Sequence, residues 1–102
     1  MPQIVEVLND VLNILQQAAM YLRNGQVLYS YRQMGYVRTA FRSPLDPDGS
    51  KTRTVNLVMT RLKKGEQIDA YDDIKSLIDQ CSKMRHQIIM ESENAKQQPE
   101  NK

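Results

Sequence analysis

Catalysis and metal binding both need side chains that can meet, and this chain offers few. It has one cysteine and one histidine, Cys81 and His86. Five residues of helix turn through about 140°, so on a helix the two do not share a face and make no Cys–His nucleophile pair. Cys81 falls among Tyr71, Ile74, Leu77, Ile78, Met84, Ile88 and Ile89 at helical spacing, which predicts a buried, inert thiol. His86 falls on the polar side. Without a second Cys or His, soft-metal ligation lacks donors. Asp46-Pro47-Asp48-Gly49 resembles the start of a calcium loop. It has no third acidic position before the glycine and no distal glutamate, so it reads as a turn. The four glycines form no phosphate-cradling loop. The expectation is a binding protein that is not an enzyme, with no cofactor and no metal.

What remains is charge. The net charge of +2 conceals three blocks. Residues 1–22 carry two acids and no base, and residues 65–102 carry eight acids against five bases. Between them, residues 23–64 carry nine bases against two acids. Ordinary surfaces mix signs, so an acid-poor stretch rich in arginine points to a polyanion. The planar guanidinium suits phosphate because it makes two parallel hydrogen bonds. The residues expected to contact nucleic acid are Arg32, Arg38, Arg42, Arg53 and Arg61, with Lys51, Lys63 and Lys64 extending the field. RNA or DNA would be held by its backbone with little sequence preference, and a duplex would be read by shape and phosphate spacing. The rival expectation is a protein-interaction module, such as an adaptor, chaperone or inhibitor, with an acidic partner. It would be anchored by Tyr29, Tyr31 and Tyr36, since Tyr and Arg are enriched at binding hot spots.

These residues need elements to position them. Residues 3–23 read as a helix whose apolar arc is about 200° wide, against roughly 100° for a surface helix. Asn24-Gly25 supplies its left-handed stop. So broad an arc predicts burial on more than one side, and in a small chain the second side suggests another copy. Val5, Leu8, Leu12, Leu15 and Ala19 are the expected homodimer contacts. Over 26–42 the period changes: Val27, Tyr29 and Tyr31 alternate with Leu28, Ser30 and Arg32, then Val37, Thr39 and Phe41 with Arg38, Ala40 and Arg42. β-branched and aromatic residues at period two predict two strands with Gly35 in the turn. A third strand is expected over 52–62, after the turn at 43–49. Asp69 reads as an N-cap for a helix over 70–92, and residues 93–102 as a disordered tail. The fold class expected is α+β, a helix, a three-stranded antiparallel meander and a helix in one domain over 1–92. The competing reading is an all-α bundle, because Val27, Tyr31, Met34 and Phe41 also share a helical face.

Ala18-Ala19-Met20, with Thr54-Val55, Thr60, Leu62 and Ala70-Tyr71, resembles in spacing the small double-stranded-RNA-binding silencing suppressors of insect nodaviruses. Length and polar tail are alike too, although the likeness covers few residues. That family pairs long, nearly unbroken helices, and Pro44 through Gly49 departs from the pattern by interrupting the second. What the resemblance implies, RNA binding, runs in the same direction as the charge. A viral or phage origin would suit so compact a chain. No apolar run reaches the roughly 18–20 residues of a membrane span. The N-terminus has no basic stretch ahead of its apolar one, and a lone cysteine fits a reducing compartment, so a cytoplasmic protein is expected.

Overall fold

A computed structural model describes residues 2–42 and 45–97 of the chain, with side chains from 4 to 42 and 45 to 94. It is an antiparallel four-helix bundle: α1 (Pro2–Arg23), α2 (Val27–Ala40), α3 (Ser50–Lys64) and α4 (Gln67–Gln97). The strands expected over 26–42 and 52–62 do not form. Both segments are helical, and the all-α alternative is the fold. The reason is where burial falls. Ser30, Met34, Val37 and Phe41 are buried in and just after α2, and Val55, Val58, Met59 and Leu62 in α3. Those are steps of three and four. The alternation of Val, Tyr and Thr marks β propensity, a weak preference that side-chain packing overrides.

Helix ends follow from local chemistry. After α1 the Gln26 N–H donates to the Tyr21 carbonyl (2.8 Å) and the Gly25 N–H to that of Leu22 (3.0 Å), with Gly25 at φ 77°. The same pair of bonds closes α3, from Glu66 N–H to Arg61 and from Gly65 N–H to Leu62, with Gly65 at φ 82°. Links this short make α1–α2 and α3–α4 helical hairpins. The start of α3 is capped from the preceding loop by Asp46, a buried carboxylate. Its oxygens accept from the backbone N–H groups of Lys51 and Thr52, both at 2.9 Å, and from the Thr52 hydroxyl at 2.6 Å. The part of the 43–49 turn that the structure describes, 45–49, is thus also a helix cap, and 43–44 lie outside the described residues. Helix α4 begins at Gln67, so Asp69 lies in its first turn rather than capping it. It also runs on through 93–97, into the segment expected as a tail, and the rest of that segment lies outside the described residues.

Each helix packs chiefly against two others, in the cycle α1–α2–α3–α4–α1. Between them lies one core containing Leu8, Val11, Leu15, Met34, Val37, Val55, Val58, Ile74, Leu77 and Cys81. Buried Ser30 is satisfied across the α1–α2 seam, its hydroxyl donating to the Ala18 carbonyl at 2.9 Å. Leu8, Leu12, Leu15 and Ala19 lie in this core and Val5 is half-buried. Val7 stays exposed, but most of the apolar arc of α1 is covered by α2 on one side and α4 on the other. Burying those residues requires no second copy.

Candidate nucleic-acid interface

The cycle of neighbours sorts the charges. Helices α2 and α3 lie side by side and between them hold seven bases and no acid. Helices α1 and α4, also adjacent, hold eight acids and five bases. One flank of the bundle is therefore a two-helix layer whose fixed side-chain charges are all positive.

Within that layer the cations differ in how they are held. Tyr31 faces Lys63, whose ammonium lies 5.6 Å from the ring centroid, and Arg38 Nη1 donates to Asn56 Oδ1 at 3.3 Å. Both contacts tie α2 to α3 and leave the positive charge uncancelled. Arg53, on the exposed side of α3, donates from Nη1 to the Asp48 carbonyl at 3.3 Å, again a neutral acceptor. Arg32, Arg42 and Lys64 are exposed and form no ion pair or side-chain hydrogen bond among the described residues. Lys51 is half-buried, with its backbone N–H on Asp46 and its charge near that carboxylate.

Arg61 is different. Its Nη1 lies 3.1 Å from Asp69 Oδ2 and its Nε 3.2 Å from Asp73 Oδ2, so it turns toward α4. The Nε contact is an ion pair without the alignment of a hydrogen bond. With two carboxylates beside it, Arg61 braces the α3–α4 hairpin and contributes little to the field of the basic flank. A sequence signal for this did exist: opposite charges eight and twelve residues apart, on either side of a glycine stop, meet when the chain folds back as a helical hairpin. Asn56, which orients Arg38, carried no such signal.

No protein family, curated protein or solved structure matches the chain.

Other chemistry is sparse. Burial pushes the Cys81 thiol up to about 11 from an ordinary 9.0, which leaves it protonated at neutral pH. His86 is exposed. Arg85 is half-buried between α4 and α1, where its Nη1 donates to Asn9 Oδ1 at 2.7 Å. Among the described residues no three His, Cys, Asp or Glu side chains are grouped to hold a metal ion, and no helix is long and apolar enough to cross a membrane.

Proposed function

We propose that this protein is a non-enzymatic binder of nucleic acid that grips the phosphate backbone with the α2–α3 flank. The observation that supports this most directly is the pairing of two acid-free helices in one layer, with Arg32, Arg38, Arg53, Lys63 and Lys64 at exposed positions and Arg42 exposed just beyond α2. Arg61 is withdrawn from the contact set because its charge is already met. Phosphates would meet preorganised cations: Arg38 is steadied by Asn56 and Lys63 by the Tyr31 ring. A lone buried cysteine suits a reducing compartment, and we place the protein in the cytoplasm on that ground.

Titration of the protein against mixed-sequence RNA and DNA at two salt concentrations tests the reading. Four phosphate contacts would lower affinity by roughly 50- to 150-fold between 50 and 200 mM salt. Reversing Arg38 and Arg53 to glutamate should abolish binding near micromolar protein while helical content is kept. Affinity indifferent to salt, or no binding at micromolar protein, would remove this role.

An acidic protein partner is the second reading. It is favoured by a cleft of about 430 Å³ at the hairpin-turn end of the α2–α3 layer, lined by Val27, Leu28, Tyr31, Leu62 and Lys63. A protein complex that survives charge reversal at Arg38 and Arg42, and is lost when Tyr31 is truncated, would replace the first reading with this one.

A further inference from the structure

The outward face of α2 is not covered by any neighbouring helix and is not merely basic. Leu28, Tyr29, Arg32 and Tyr36 fall within about 100° of arc on the side away from buried Ser30, Met34 and Val37. They are strongly exposed: Leu28 is 63% accessible, Tyr29 49% and Tyr36 61%. Large apolar side chains gathered on one unpartnered face mark a contact surface. Tyr29 is held in place by Tyr21 of α1, with ring centroids 5.5 Å apart and planes tilted by 33°. Gly35 lies on the same face, and a Cβ there would meet nothing within 4 Å. A mid-helix glycine costs about 1 kcal/mol against alanine. With no steric demand for it, the effect it does have is to leave the edge of the face without a side chain beside Arg32, where a flat group can approach closely.

We propose that this face is a stacking platform for unpaired bases, so that the nucleic acid bound by the α2–α3 flank is single-stranded. The inference rests on the phosphate-binding reading above and adds the state of the strand. Tyr29 and Tyr36 are seven residues apart, about 10.5 Å along the helix axis. A stacked strand advances about 3.4 Å per nucleotide, so the two rings bracket about three nucleotides, with Arg32 between them at the level of the intervening phosphates. In a duplex the base faces are stacked on one another and only edges reach the grooves, so a tyrosine face finds nothing to cover. An arginine amid the apolar groups, on a layer without acids, selects a polyanion that carries flat aromatic rings. A single strand has both properties.

The test is fluorescence anisotropy with a labelled mixed-sequence 20-mer, alone and annealed to its complement, across a salt series. The proteins are the full chain and its Tyr36→Ala and Arg38→Gln variants. Tyr36 is on the surface, so its removal leaves the core intact, and a thermal melt confirms it. The single strand should bind at least about tenfold more tightly than the duplex. Tyr36→Ala should weaken single-strand binding by about five- to 150-fold with the salt slope unchanged. Arg38→Gln should instead lower the slope on both ligands. Equal affinity for duplex and single strand, or a neutral Tyr36→Ala, with salt-dependent binding intact, would overturn the stacking platform and spare the phosphate reading. Binding of neither ligand at 50 mM salt would overturn both, and would leave the face to a protein.

Discussion

Asp46 shows how much of this fold can hang on one carboxylate. Burial by itself would raise its pKa, but the Thr52 hydroxyl and the Lys51 and Thr52 N–H groups all donate to it, and together they hold it below its ordinary 3.8. The charged form is therefore the one the folded state prefers. A carboxylate whose folded pKa is lowered adds stability above the unfolded value of 3.8, and that stability is lost as pH falls through the folded value. Asp46→Asn should destabilise the protein by about 1–3 kcal/mol at pH 7, read as a shift of the urea midpoint. Below pH 4 the gap between wild type and variant should shrink. A gap that stays constant down to pH 2 would mean that the cap on α3 favours the charged carboxylate no more than water does in the unfolded chain. The loop Leu45-Asp46-Pro47-Asp48-Gly49 was legible in the sequence as a turn. That one of its acids reaches forward to the first turn of a helix was not, because the alternation over 52–62 predicts a strand after it.

At the scale of elements, the hairpin turns were the easiest features to read and the two middle helices the hardest. Gly25 and Gly65 stand where chains must enter the left-handed region, which any other residue adopts at a cost of about 1–2 kcal/mol. Around Gly65 a Cβ would meet nothing within 4 Å, so a substitution there suffers backbone strain alone. Gly65→Ala should lower stability by about 1 kcal/mol, measurable by thermal or urea unfolding, and leave the proposed phosphate contacts of the α2–α3 flank unchanged. A neutral result would show that α3 does not end in that conformation. Helices α1 and α4 could be read from wide, unambiguous apolar stripes. Helix α2 could not, because it faces two ways. Its buried stripe is narrow, Ser30 takes one of the core positions, and the exposed Leu28, Tyr29 and Tyr36 blur the contrast between inside and outside. Those same exposed residues form the stacking surface proposed above. The side chains that hide the helix from pattern reading are the ones available to a ligand.

On the scale of the molecule, the succession acidic, basic, acidic along the chain becomes two sides only because α4 returns to α1 and closes the cycle. The basic block was legible; the closure was not, and neither was the capture of Arg61 by α4. Closure also gives the molecule a single core, and Cys81 is a natural probe of it. The thiol is fully buried and raised to about 11, chiefly by burial, with Lys51 acting to lower it and Asp46 to raise it. At pH 8 a pKa two units above the unfolded 9.0 reduces the reactive thiolate about a hundredfold, before any steric shielding is counted. Alkylation of the native protein should therefore be at least about 10²-fold slower than that of the unfolded chain. If the four helices open together, its rate should rise with urea along the slope of global unfolding. The same shift makes stability fall as pH rises from 9 toward 11, since the unfolded thiol ionises first. Labelling at the rate of a free thiol in the absence of denaturant, with the helical content of the native protein kept, would show that α4 leaves the bundle alone. The acidic and basic sides would then not be fixed relative to each other, and the field offered to a polyanion would change with every opening.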